Sequence, residues 1–151
     1  MLLNIGDKAP NFTLFNQNGA NISLNDIKGQ TCIIWFFPKA NTPGWTVEGQ
    51  GFRDEFKKFD KKNIKIFGVS GDSVVKQKKF HDKQKFNFDL LSDEEHSMLE
   101  AYKVWGLKKF MGREYMGIYR VTYVINPEGE IHKVYDQVKT KTHAQDILND
   151  L

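Results

Sequence analysis

The chain has 151 residues, of which 40% are hydrophobic and 27% charged, and a net charge of +3 from 22 basic and 19 acidic residues. That length suits one soluble domain over 1–151 with a genuine core, and the small basic excess does not mark a nucleic-acid surface. Cys32 is the only cysteine, which excludes an internal disulfide and a thiolate-rich metal site. No apolar run approaches the roughly 20 residues of a membrane span.

In chain order, "MLLNIGDKAP" lacks the basic leader and long apolar segment of a signal peptide, so a soluble, cytoplasmic protein is expected. "NFTLFNQNGANISL" alternates around Asn18-Gly19, two residues that tolerate positive φ, and predicts an N-terminal β-hairpin. "TCIIWFF" at 31–37 is a continuous apolar, β-branched and aromatic run, the pattern of a central strand buried on both faces. A helix is predicted over about 43 to 61, with Gly49, Phe52, Phe56 and Phe59 on one face and Trp45 extending that stripe.

"NIKIFGVS" at 63–70 predicts the next strand and 73–86 a lysine-rich amphipathic helix. The lysine clusters "FKKFDKKNIK" and "KQKKFHDKQK" read as solvated helix faces, because the arginines suited to bidentate phosphate contacts are only Arg53, Arg113 and Arg120. "FDLLSD" follows as a short strand and "EEHSMLEAYKVW" as a helix. "VWGLKKFMGREYMGIY" reads as an aromatic-rich loop that packs at the rim of the core. "YRVTYVINPEGEIHKVYDQV" predicts a second hairpin turning at Asn126-Pro127-Glu128-Gly129, and "KTHAQDILNDL" a closing helix. The two hairpins make the sheet mixed, and helices on both faces complete an α/β fold.

The stretch "PKANTPGWTVEGQGF" at 38–52 has the punctuation of a reactive loop. Pro38 closes the strand, Thr42 suits an N-cap and Pro43 the first helical position. Free N–H groups and the positive dipole end at such a helix start stabilise negative charge, and would ionise a thiol placed there. Arg120, which interrupts the apolar pattern "GIYRVTYVIN", is the candidate guanidinium for the same site. The plainer alternative is a Thr-Pro-Gly turn that only starts a helix and an arginine that only lines a strand end. His81, His96, His132 and His143 show no metal-ligand spacing and read as surface histidines. Cys32 reads as a small hydrophobe in the central strand.

"FFPKANTPGWTVEGQGFRD" resembles the active-site segment of the bacterioferritin comigratory protein, or Q-type, peroxiredoxins, whose motif is P-x-x-x-T-x-x-C. "GDKAPNFTL", "VSGDSV", "FDLLSDEEH", "AYKVWGLKKFMGREYMGIYR" and "VKTKTHAQDIL" continue the resemblance nearly end to end. It implies a thioredoxin-like fold and carries family roles onto Pro38, Thr42 and Arg120, with Glu48 at a polar position of the active-site helix. In that family a cysteine thiolate attacks the peroxide O–O bond and becomes a sulfenic acid, without metal or organic cofactor. A second thiol and then thioredoxin restore the reduced form, and the family is commonly monomeric.

This chain departs from the family pattern where the chemistry is done. The position of the peroxidatic cysteine is Trp45, and the two common resolving positions are Gln50 and His81. Two readings follow. The chain is a thiol peroxidase whose nucleophile was replaced, since its neighbours are intact and cysteine and tryptophan codons differ by one base. Alternatively it is a natural pseudo-peroxiredoxin, a binding or scaffolding module with Trp45 in the old peroxide pocket. Under both, little peroxidase activity is expected.

Overall fold

The computed structural model describes residues 2–40, 43–136 and 141–151, with residues 43–45 and 110 described by their backbone alone. Strands β1 (Thr13–Asn16) and β2 (Asn21–Ser23) form the expected N-terminal hairpin. Of the Asn18-Gly19 pair, only Gly19 uses a positive φ, at 79°. Asn16 does the rest, its Oδ1 accepting from the backbone N–H of Asn18 and Ala20 at 2.9 and 3.0 Å.

The strand β3 (Thr31–Phe36) is the centre of the molecule, parallel to β4 (Ile64–Ser70) and antiparallel to β8 (Thr122–Ile125). With β5 (Asp89–Ser92) and β9 (Ile131–Tyr135) the seven-stranded sheet runs β2-β1-β5-β4-β3-β8-β9. Strand alternation sends Cys32, Ile34 and Phe36 into one core, and Ile33, Trp35 and Phe37 into the other. All six are 0% exposed, which is why positions 32–37 carry no polar residue. Burying each large apolar side chain there contributes about 1.5–3 kcal/mol.

Helices α1 (Pro43–Asp54), α2 (Phe56–Lys61), α3 (Val74–Gln84) and α5 (His143–Asp150) supply Phe52, Phe59, Phe80 and Ile147 to the Trp35 core. Helix α4 (Ser97–Ala101) supplies Met98 and Leu99 to the opposite core. No helix among the described residues is long and apolar enough to cross a membrane.

Three boundaries differ from the sequence expectation. The helix expected over 43–61 breaks at Glu55, where Asn87 Nδ2 donates to the Arg53 carbonyl at 3.3 Å and Arg53 Nη1 reaches the Gln84 carbonyl at 2.7 Å. The helix expected through Trp105 stops earlier, because Lys103 turns the chain with φ 60°. The stretch read as an aromatic-rich loop is a hairpin of β6 (Trp105–Phe110) and β7 (Arg113–Ile118), a separate two-stranded sheet. Its tip is exposed, with Leu107, Tyr115 and Met116 about half so, while its base packs on the core through buried Ile118 and part-buried Trp105.

Candidate active site

Sheet hydrogen bonds fix where the site elements meet. At the end of β3, Phe36 N–H donates to Val121 O at 2.9 Å and Phe37 N–H to Val69 O at 3.0 Å. Because β8 runs antiparallel to β3, the residues entering β8 lie beside the loop leaving β3, and Arg120 is among them. That loop, opened by Pro38, is held from the other side by the turn after β4. Asp72 Oδ2 accepts from Ala40 N–H at 2.8 Å and from Ser70 Oγ at 2.7 Å. Buried Gln77 then braces Ser70, its Nε2 donating to Ser70 Oγ at 3.0 Å and to Leu91 O at 2.7 Å.

α1 starts at Pro43, within the expected boundary, so the backbone of position 45 lies in its first turn. Thr42 and its expected capping role lie outside the described residues. Glu48, three residues beyond position 45 on the same helix face, is 1% exposed. Its Oε2 lies 3.6 Å from Arg120 Nε, and its Oε1 lies 3.7 Å from Nε2 of His143. Burial raises the Glu48 pKa to about 7, against the opposing pull of the Arg120 charge. His143 is 3% exposed and 2.9 Å from Thr122 Oγ1. Burial lowers its pKa to about 4, with Asp146 opposing and Arg120 adding to the effect.

The N-terminal end of α1 and the Arg120 guanidinium give this pole of the sheet a positive field suited to an anion or to developing negative charge. A groove of about 410 Å³ opens beside Pro38, lined by Asp72, His96, Trp105, Lys108 and Tyr115. A larger cavity of about 670 Å³ lies at the other end of β3, with Lys8, Gln30, Cys32 and Pro127 in its wall, away from these groups.

Residues 5–134 match the AhpC/TSA family model. The chain belongs to the AhpC/TSA family. It is 42% identical to peroxiredoxin Bcp of Escherichia coli (strain K12) over 147 residues, covering 97% of this chain and 94% of that one. It is 43% identical to peroxiredoxin Bcp of Bacillus subtilis (strain 168) over 151 residues, covering 100% and 96%. A mutant of Xylella fastidiosa PrxQ superposes with a TM-score of 0.93 at 34% identity, covering 99% and 96%. The bacterioferritin comigratory protein of Xanthomonas campestris, a protein with alkyl peroxide reduction activity, superposes at 0.87 with 36% identity over 92% and 88%. The resemblance read from the sequence is therefore correct, and the fold is the thioredoxin-like one of the peroxiredoxins.

In this AhpC/TSA chain the two positions read as resolving sites lie on α1 and α3. Gln50 Nε2 donates to Gln84 Oε1 at 2.8 Å, and His81 Nδ1 lies 3.3 Å from Asp82 Oδ1. Cys32 is fully buried in β3, as expected, and burial pushes its thiol well above the ordinary range. The reading of the histidines as surface residues fails at His143, which α5 inserts between Phe52 and Tyr135, each ring 5.5 Å away. Nothing in the sequence spacing singles His143 out. Only the packing of α5 against α1 brings it to Glu48.

Proposed function

We propose that this chain is the scaffold of a thiol-dependent peroxidase in which Trp45 occupies the nucleophile position, and that it does not reduce peroxides as written. The observation that carries this reading is the Glu48–Arg120 pair at the start of α1, together with the full burial of the only cysteine, Cys32. The charge-stabilising frame supports peroxide chemistry, yet no accessible thiol is present to perform it.

With a cysteine at position 45, its thiolate would attack one peroxide oxygen, breaking the O–O bond. The sulfur becomes a sulfenic acid and the other oxygen leaves as alkoxide or hydroxide, which takes a proton. Thr42 and Arg120 would hold the peroxide oxygens and stabilise the charge on the leaving one, Pro38 would shape the loop, and Glu48 would orient Arg120. Gln50 and His81 supply no second thiol, so thioredoxin or a small thiol would return the sulfur to its reduced form. Hydrogen peroxide and organic hydroperoxides are the proposed substrates, the latter in keeping with the alkyl peroxide reduction activity of the Xanthomonas relative. We read the chain further as a cytoplasmic monomer that binds neither nucleic acid nor membrane.

The intact neighbours of position 45 favour one substitution in an active enzyme over long drift. The deciding experiment is Trp45→Cys, assayed for peroxide consumption with dithiothreitol. Turnover in the variant and none in the parent is expected. A folded variant as inactive as its parent would instead favour a pseudo-peroxiredoxin that serves as a binding module.

A further inference from the structure

His143 is almost wholly buried, and the proposed chemistry makes no use of it. A neutral histidine bonded to a threonine is most often plain core, and the 2.9 Å contact with Thr122 would satisfy that description alone. Glu48 stands as a second partner. The same nitrogen, Nε2, faces both Thr122 Oγ1 and Glu48 Oε1, at 2.9 and 3.7 Å. A hydroxyl can donate or accept, whereas an ionised carboxylate only accepts. With Glu48 ionised, the tautomer with the proton on Nε2 is favoured, because a bare lone pair there would repel the carboxylate. With Glu48 protonated, Nε2 is able to accept from Thr122 instead.

We propose that His143 is a positioning residue of this site, its Nε2–H directed at Glu48 Oε1 and holding Glu48 in the ionised form that pairs with Arg120. The ring stays neutral and keeps one proton throughout, and only the nitrogen that bears it changes. Among the described residues, the charged and titratable groups around the ring are few. Glu48 comes from α1, Arg120 from the segment before β8, Tyr135 from β9, and Asp146 from α5 itself. Tyr135 is tied to Asp150 at 2.6 Å, and Thr122 is uncharged. Glu48 is thus the group at which a charge change at neutral pH meets His143, since burial holds the ring neutral down to about 4. Through Glu48, α5 sets the field that Arg120 presents at position 45.

The link to position 45 rests on the proposed function, whereas the coupling between Glu48 and His143 does not. The first measurement therefore uses the unmodified chain. Carboxyl ¹³C and imidazole ¹⁵N resonances are followed across neutral pH, and the protonation of His143 Nε2 is expected to track the ionisation of Glu48. If Nε2 keeps one protonation state while Glu48 titrates, the proposal is overturned.

The second measurement compares two variants. His143→Phe keeps the ring packing and removes the donor, so Glu48 should titrate about one pH unit higher. His143→Gln places an amide N–H near Nε2 and should restore the midpoint. A merely structural role reverses that order, with phenylalanine tolerated and glutamine disruptive. Repeated on Trp45→Cys, the same pair should move the pH profile of peroxide consumption by the same shift. Coupling seen by resonance with no activity in Trp45→Cys would sink the functional reading and leave this one standing.

Discussion

Asp72 accepts a hydrogen bond from the backbone N–H of Ala40 at 2.8 Å, so the turn after β4 holds the loop after β3. The same oxygen takes the Ser70 hydroxyl at 2.7 Å, and Ser70 is wholly buried. Asp72→Ala leaves both donors without that acceptor, at an expected cost of about 1–3 kcal/mol in urea unfolding. Amide exchange should quicken at Ala40 before it quickens in β3. Unchanged exchange there would show that the contact does not restrain the loop.

Gly49 sets how closely α1 approaches the sheet. A Cβ there would stand 2.6 and 2.9 Å from the Phe86 ring and 3.1 Å from Trp35. Alanine gains about 1 kcal/mol of helix propensity over glycine. Phe86 cannot retreat cheaply, being stacked on Phe88 and edge-on to Phe80, both at 5.0 Å. The overpacking cost of about 1–3 kcal/mol is expected to win, and Gly49→Ala should lower the melting temperature. A higher melting temperature would show that propensity dominates.

Glu48 and His143 give opposing pH dependences. Glu48 ionises at about 7 in the fold against an ordinary 4.5, so it stabilises the fold below 4.5 and loses that contribution as pH rises to about 7. His143 protonates at about 4 against an ordinary 6.5, so its contribution is complete above 6.5 and is lost as pH falls to about 4. Between 4.5 and 6.5 the two slopes cancel. Glu48→Gln removes one of them, and stability should then rise with pH by about 1.4 kcal/mol per unit more than in the parent over that window. Denaturant melts of both proteins at a series of pH values measure the difference, and parallel curves would refute it.

Cys32 should be inert in the native chain, since burial both blocks access and pushes the thiol upward, with only Lys65 opposing. Labelling by a thiol reagent is expected to be slow and to accelerate with denaturant in step with unfolding. Native labelling near the rate of free cysteine would reopen Cys32 as a nucleophile.

In the Trp45→Cys background, Arg120→Ala should reduce peroxide consumption by about 10²–10³-fold, the scale for removing one charge-stabilising donor. Turnover should also require an external thiol, because positions 50 and 81 hold Gln50 and His81. Full activity without Arg120 would remove it from the site.

What was legible in the sequence follows from what burial writes into it. β3 was readable because both its faces are buried, which leaves only apolar residues in six consecutive positions from Cys32 to Phe37. The β6–β7 hairpin was not, because most of Arg113–Ile118 is exposed on both faces and its residues show no period of two. Pro38 and Arg120 stood out by local pattern, one closing an apolar run and the other interrupting one, whereas Glu48 was picked out by the family resemblance alone. His143 was not, because a lone histidine at a helix start has no partner until α5 folds against α1.

The antiparallel register of β3 and β8 has a consequence for how this chain can change over generations. Arg120 stands beside the start of α1 because of backbone hydrogen bonds, and those bonds are indifferent to the side chain at position 45. Exchanging that side chain therefore removes none of the backbone bonds that pair β3 with β8. Selection acting on folding alone is blind to the exchange, and only selection acting on chemistry could detect it or reverse it.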